Sequence, residues 1–133
     1  MLQSEQLAFK IPNTDSFGLK EGEGLLTYDG EHLSMEIQEK DALLGVYKSE
    51  VKEYEISLDA INSISFKKKF FSAQLTIQAN SMKELAHIPG MEQGKLTLKI
   101  AKKDADKAKQ LQSLVNLSLS EQRLRDIDMD MED

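Results

Sequence analysis

The chain has 133 residues, of which 40% are hydrophobic and 30% charged, with a net charge of −6 and no cysteine. This length and composition are typical of one soluble globular domain. The lack of cysteine excludes disulfides, thiolate nucleophiles and cysteine-ligated metal sites. The apolar runs are short, and the first ten residues show no basic stretch followed by an apolar one. We therefore expect no membrane span and no signal peptide. The protein is expected to be cytoplasmic.

The charges are unevenly distributed along the chain. Residues 1–66 carry 5 basic and 13 acidic side chains, residues 67–109 carry 10 basic and 4 acidic ones, and residues 110–133 carry 2 basic and 6 acidic ones. An acidic chain is not typical of a nucleic-acid-binding domain, so no nucleic-acid partner is expected. The middle segment leaves a local basic face open, although its lysines could equally cover the solvent-facing sides of strands and a helix.

Alternating apolar and polar residues predict six or seven short strands. They cover residues 6–11, 25–28, 32–38, 52–58, 61–68, 71–79 and 95–101. Asp29-Gly30 favours a tight hairpin turn, which needs positive φ at both central positions. A second turn is expected within residues 67–72. The polar segment 12–24 is predicted to be a loop, and segment 80–94, broken by Pro89-Gly90, has room for one helical turn or a short strand.

The same alternation predicts which side chains of the strands face the core. They are Leu33, Met35, Ile37, Tyr54, Ile56, Leu58, Ile64, Phe66, Ala73, Leu75, Ile77, Leu96, Leu98 and Ile100. Strands that bury one face only need a second sheet or closure of the sheet. The fold class predicted is mainly β: an antiparallel barrel or two-sheet sandwich of six or seven strands.

The hydrophobic period changes at Asp104, which is a plausible helix N-cap. Apolar residues then recur every three or four positions, which predicts a helix with one apolar stripe that closes the barrel. The stripe consists of Ala105, Ala108, Leu111, Leu114, Val115 and Leu119. The predicted organisation is an N-terminal strand and loop over residues 1–23, a barrel with its helix over 24–120, and an acidic tail over 121–133 that is expected to be solvated and disordered.

Several strand segments resemble a known family. Glu55-Ile56-Ser57-Leu58-Asp59-Ala60-Ile61 and Gly94-Lys95-Leu96-Thr97-Leu98-Lys99-Ile100, with the spacing of the strands across residues 24–118, resemble bacterial pleckstrin-homology-like (PH-like) domains. The resemblance implies a PH-like barrel and a general binding role. The chain departs from the phosphoinositide-binding relatives at the first hairpin, where Tyr28-Asp29-Gly30-Glu31 is acidic and would repel a phosphorylated inositol. It also lacks the Trp common in their last helix.

No pattern of catalytic or metal-ligating residues stands out. His32 and His87 are isolated in the sequence and match no metal-binding motif. Glu53 and Glu55 share one strand face, but general acid–base chemistry needs a desolvated carboxyl, and these two are predicted to face solvent. We therefore expect no catalytic residue, no cofactor and no metal, and a protein that is not an enzyme.

The most specific local feature is a run of basic and aromatic residues at the turn predicted near residues 67–72. Lys67, Lys68, Lys69 and Phe70 form the candidate binding surface, because lysines beside an exposed Phe can contact an anionic membrane or partner. The alternative interpretation is that Phe66 and Phe71 are core residues that flank a solvated turn.

Three functions follow from this reading. The leading expectation is a non-catalytic adaptor that binds a protein or peptide, through an exposed strand edge among other routes. The alternative is a peripheral membrane or anion binder that uses residues 67–69. The third is a small-molecule carrier, although Leu, Ile and Phe would fill a small barrel themselves. The net charge and the acidic first hairpin predict no measurable affinity for anionic liposomes at physiological salt. The sequence is compatible with a homo-oligomer as well as with a monomer.

Overall fold

The computed structural model describes residues 6–15 and 17–131, with residues 128–131 described by their backbone alone. The chain forms seven strands and then one long helix. The elements are β1 (Leu7–Ile11), β2 (Lys20–Tyr28), β3 (His32–Asp41), β4 (Lys52–Ser57), β5 (Ile61–Lys68), β6 (Ser72–Ala79), β7 (Lys95–Ala101) and α1 (Ala105–Met131). Short 3₁₀ turns at Leu58–Ala60 and Lys102–Asp104 precede β5 and α1.

All seven strands belong to one antiparallel sheet with the order β4-β3-β2-β1-β7-β6-β5. The predicted fold class, mainly β with antiparallel strands and one C-terminal helix, is confirmed. The sheet is not closed into a barrel, because β4 and β5 stand at its two ends and do not pair with each other. They follow each other in the chain, and the 3₁₀ turn between them separates the end of one half of the sheet from the start of the other.

The hairpin of β2 and β3 is present as predicted, but its turn has a different conformation. Gly30 has a φ of 103°, whereas Asp29 does not adopt a positive φ. The Asp29 carboxylate instead accepts hydrogen bonds of 2.8 Å from the backbone N–H groups of Glu31 and His32. This side-chain turn replaces the second left-handed residue, which an Asp can do because its short carboxylate reaches its own following backbone.

The predicted loop over residues 12–24 is too long. β2 begins at Lys20, so Gly22 and Gly24 are strand residues rather than loop residues. A Cβ at Gly24 would lie 1.7 Å from the carbonyl oxygen of Glu36, which shows that β2 and β3 approach too closely there for a side chain. Glycine inside a strand often marks such a close backbone approach. Composition alone assigns the same residue to a loop.

The core lies between the buried face of the sheet and the apolar stripe of α1. The strand residues predicted to face inward are buried or pack against the buried cluster. Ala105, Ala108, Leu111, Val115 and Leu119 of the helix are buried as well. The segment between β6 and β7 contributes to the core, because its otherwise polar sequence buries the side chains of Leu85 and Ile88.

The first eleven residues of the predicted acidic tail, 121–131, are helical, because α1 continues to Met131. This stretch contains no Gly or Pro, and its Glu, Gln, Arg and Leu residues favour helix, so nothing in the sequence ends the helix. Its side chains up to Ile127 are mostly exposed, as a solvated segment requires. Residues 132 and 133 lie outside the described residues. Across the described ranges, no helix combines the length and apolar character needed to cross a membrane.

Candidate binding surfaces

The predicted basic turn lies at the tip of the β5–β6 hairpin. The backbone N–H of Lys69 donates a hydrogen bond of 2.8 Å to the carbonyl of Ser72 and closes a loop formed by Phe70 and Phe71. These two side chains are 80% and 84% exposed, and their rings meet edge to face with centroids 4.6 Å apart. Phe66 packs against the core, as the alternative interpretation expected. Phe71 is exposed, so that interpretation is wrong for Phe71.

The fold brings two further lysines to this tip. Ala101, the last residue of β7, is the cross-strand partner of Ser72, so Lys102 and Lys103 follow directly beside the hairpin end. The Lys102 ammonium lies 5.9 Å from the centroid of the Phe70 ring, within the range of a cation–π contact. We define the basic tip by its members, which are Lys67, Lys68, Lys69, Phe70, Phe71, Lys102 and Lys103.

The strand order explains the uneven charge of the sequence. Residues 60–83 and 93–103, which contain β5, β6 and β7, include no acidic residue at all. The half of the sheet formed by β2, β3 and β4 carries most of the acidic strand residues. The basic and acidic segments of the chain thus become the two halves of one sheet. A net charge of −6 conceals this separation.

The two ends of the sheet differ in how their backbone is covered. On β5, the side-chain amides of Asn116 and Gln112 lie 3.1 and 3.4 Å from the carbonyl oxygen of Ile64 and donate to it. The guanidinium of Arg123 donates to the carbonyl of Asn62 at 2.6 Å. Side chains of α1 therefore occupy the edge of β5 and satisfy backbone groups that no strand reaches.

The edge of β4 has no such cover. Backbone groups of successive residues in a strand point alternately to its two neighbours. The His32 carbonyl accepts from Asp29 on the β2 side at 3.3 Å, and the Glu39 carbonyl accepts from Lys48 on the other side at 2.9 Å. Odd-numbered residues of β3 therefore face β4, and their partners there are Lys52, Tyr54 and Ile56.

It follows that the backbone groups of Glu53 and Glu55 point away from the sheet. Among the described residues, no backbone or side-chain group accepts from or donates to them. The stretch has no proline and no bulge. β4 is thus an open edge with at least two residues whose N–H and C=O groups are unpaired and point outward.

The outer face next to this edge is acidic. Glu53 stands directly opposite Glu36 on β3, which places two like charges in one cross-strand pair, and such pairs are destabilising. In the part of the chain that the structure describes, the ion-pair partner of Glu55 is the His32 ring at 3.9 Å, which is a cation solely when that His is protonated. We call Glu36, Glu53, Glu55 and the outward backbone of β4 the acidic edge. These residues line part of a surface depression of about 390 Å³.

The acidic residues further along β2 share one lysine, which offsets part of their charge. The Lys40 ammonium lies 3.5 Å from Glu21 and 3.1 Å from Glu23. The hydroxyl of Tyr47 also donates to Glu23 at 2.8 Å. This hydrogen bond, together with Lys40, lowers the pKa of the Glu23 carboxyl. Among the side chains described, no lysine forms such a pair with Glu36, Glu53 or Glu55 of the acidic edge.

A scan of the chain against models of known protein families finds no match, and a search of the curated proteins finds none either. What the two surfaces bind must therefore follow from their own charge, exposure and backbone. Sequence reasoning found the turn within residues 67–72 but missed Lys102 and Lys103, because only the pairing of β6 with β7 brings them there. It also missed the acidic edge, whose signal in the sequence, Glu53 and Glu55, reads as an ordinary solvated strand face.

Proposed function

We propose that this chain is a cytoplasmic, non-catalytic binding module of the PH-like type that takes an extended segment of a protein or peptide as an eighth strand beside β4. The observation that carries the proposal is the difference between the two ends of the sheet. The edge of β5 is covered by Asn116, Gln112 and Arg123, whereas the edge of β4 is open. Addition of a strand to an open edge is a recurring mode of peptide recognition, in which the main chain supplies affinity.

The acidic edge also indicates the chemistry of the partner. A strand added to β4 would place every second side chain on the outer face, next to Glu53 and Glu55, with Glu36 one strand further away. Lys or Arg at those alternate positions would relieve the repulsion within the Glu36–Glu53 pair. A basic extended segment is therefore the best match.

The same charges oppose the pairing of two copies through this edge. Two β4 strands side by side would bring Glu53 and Glu55 of one copy against those of the other. Charged residues on edge strands are a common means by which proteins avoid edge-to-edge association. The edge is thus open to a basic partner and closed to itself.

Proline substitution offers a direct test of strand addition. Glu53→Pro removes an outward N–H and leaves the bonds of β4 to β3 intact, since proline is tolerated on the solvent side of an edge strand. Glu53→Ala removes the same carboxylate and keeps the N–H. Fluorescence anisotropy with a labelled peptide that alternates Lys and Val should show binding to the wild type, weaker binding to Glu53→Ala, and none to Glu53→Pro.

A second peptide and a third variant separate backbone from charge. A peptide that alternates Glu and Val should bind poorly to the wild type. Glu36→Gln should weaken binding of the Lys–Val peptide, although it leaves the backbone of the β4 edge unchanged. If Glu53→Pro and Glu53→Ala bind the Lys–Val peptide equally well, the edge backbone is not used and strand addition is wrong. Thermal unfolding of each variant checks that the fold is retained.

A further inference from the structure

We propose that the basic tip docks on the surface of a lipid bilayer that contains anionic lipids, with Phe70 and Phe71 inserted into the interface between headgroups and acyl chains. This site is separate from the edge of β4 and lies on the opposite half of the sheet. The proposal is therefore independent of strand addition. Together the two sites would let one module hold a peptide and a membrane at the same time.

The exposure of Phe70 and Phe71 is the first observation. Two adjacent aromatic side chains, each at least 80% exposed, occupy the apex of a hairpin whose core contact is made by Phe66. A hairpin turn needs no aromatic residues, and Gly, Asn and Asp are its usual occupants. The pair contributes little to packing within the domain, and contiguous exposed apolar groups mark interaction sites.

The charge around the apex is the second observation. Lys67, Lys68 and Lys69 lead directly into the two-residue loop that carries the rings. Lys102 lies 5.9 Å from the centroid of the Phe70 ring, and Lys103 is the next residue in the chain. Within the described part of the chain, none of these five lysines forms an ion pair with a carboxylate. Each therefore keeps its full charge for a partner. Clusters of about four to eight basic residues at a membrane surface are attracted by anionic lipids, and this cluster has five.

The arrangement fits a lipid surface better than a folded partner or a nucleic acid. The exposed rings occupy the loop at the end of the hairpin, and Lys67 and Lys68 lie in the strand behind it. Rings in this place can enter the interface while ammonium groups stay at the level of the phosphates. A protein partner would have to offer a pocket for the two protruding rings. The acidic half of the sheet, which would be repelled by any polyanion, lies at the other end of the strand order. A flat surface can contact the tip alone.

This inference reverses the expectation drawn from the net charge. A total of −6 opposes an anionic membrane only if the charge is spread over the domain. The fold separates the charges by half-sheet, and the potential that a surface meets at the tip is set by charges within about a Debye length, roughly 8 Å at physiological ionic strength. The acidic first hairpin belongs to the other half of the sheet.

Vesicle sedimentation tests the proposal with the full chain. We expect binding to vesicles of phosphatidylcholine with phosphatidylserine, no binding to phosphatidylcholine alone, and weaker binding as salt rises. Each Lys→Gln change at the tip should weaken partitioning about fivefold, so that Lys67→Gln, Lys68→Gln and Lys69→Gln together weaken it about a hundredfold. Phe70→Ser with Phe71→Ser should also reduce binding. The control pair Leu43→Ser with Leu44→Ser alters two side chains that are 85% and 78% exposed in a loop of the other half of the sheet, and it should change nothing.

The insertion of the rings can be observed directly. The chain has no Trp, so Phe70→Trp introduces a single reporter. Its emission should shift to the blue with anionic vesicles and stay unchanged with heparin, a soluble polyanion. An equal response to heparin, or binding insensitive to the Phe variants, would assign the tip to a soluble polyanion such as a nucleic acid and overturn the proposal. The proposal would also be overturned if the wild type did not bind anionic vesicles at low salt, or if the Leu43→Ser, Leu44→Ser control lost as much vesicle binding as the Phe variant. Binding of the Lys–Val peptide should be the same in all tip variants, so failure here leaves strand addition standing.

Discussion

The side-chain amide of Asn116 donates a hydrogen bond of 3.1 Å to the carbonyl oxygen of Ile64, so the helix satisfies a backbone group at one end of the sheet. Asn116→Ala should lower the free energy of unfolding by about 1 kcal/mol, the usual contribution of one hydrogen bond. Ser113→Ala, on the exposed side of the same helix, is the matched control because Asn and Ser have similar helix propensities. Urea denaturation measures both. Equal midpoints for the two variants would show that the hydrogen bond of Asn116 does not stabilise the β5 edge.

The helix should depend on one face only. Leu111 is 3% exposed within the core, so Leu111→Ala should cost about 2–5 kcal/mol. Leu117, on the same helix, is 57% exposed, and Leu117→Ala should cost less than about 0.5 kcal/mol. The pair removes the same atoms from two environments. Comparable losses in chemical denaturation would mean that the assigned face of the helix is wrong.

The close approach of β2 and β3 predicts a strong effect at Gly24. An added Cβ would overlap the carbonyl oxygen of Glu36, and backbone atoms cannot move aside without displacing the strand. Gly24→Ala should therefore lower the free energy of unfolding by about 1–3 kcal/mol. At Gly22 the nearest atom is a methyl of the Thr14 side chain at 3.0 Å, which can rotate away. Gly22→Ala should cost clearly less in the same thermal or urea experiment, and the reverse order would contradict the register of this hairpin.

The β3–β4 connection should give the fold a dependence on acid pH. The Asp41 carboxylate accepts from the backbone N–H groups of Leu44 at 2.7 Å and Leu43 at 2.8 Å, and these bonds lower the pKa of Asp41. Because the pKa in the folded state lies below the unfolded value of about 3.9, the contribution to stability is complete above that pH and is lost as the pH falls through the folded pKa. Asp41→Asn keeps an acceptor oxygen but not the charge.

Urea midpoints of the wild type and Asp41→Asn from pH 7 to pH 2 measure this contribution. The wild type should be the more stable at neutral pH, and the two curves should converge at the acid end. A difference that persists unchanged at pH 2 would show that the charge of Asp41 is not its source. Asp29 makes the same kind of turn with Glu31 and His32, so it adds to the acid sensitivity of both proteins equally.

The alternation of apolar residues was sufficient to predict the strands and the buried face of the sheet, because period-two burial is a local property of a strand. It gave the wrong orientation at Phe71. Extending the inward series of Ala73, Leu75 and Ile77 by two residues places Phe71 in the core. β6 begins at Ser72, however, and the tight turn rotates the preceding side chain outward. The pairing within the hairpin decides where a strand ends, and the periodicity of apolar residues gives no information about that pairing.

The binding surfaces were harder to predict because they depend on which strands are neighbours. Lys102 is separated from Phe70 by the whole of β6 and β7, and it reaches the ring only because Ala101 pairs with Ser72. The open edge is also a property of the complete sheet. The alternation in β4 looks the same whether the strand is central or terminal, so the sequence of Lys52–Ser57 cannot reveal that its outer backbone is unpaired.

The separation of charge between the half-sheets gives the domain a permanent electric dipole moment that its net charge does not describe. A molecule of this kind turns in the field of a charged surface before it makes contact, so its approach is oriented as well as attracted. At low ionic strength the protein should be retained by cation-exchange resin through the basic tip and by anion-exchange resin through the acidic half, although its net charge of −6 would suggest only the second. Retention by both resins would show that each half of the sheet can bind a surface of opposite charge by itself.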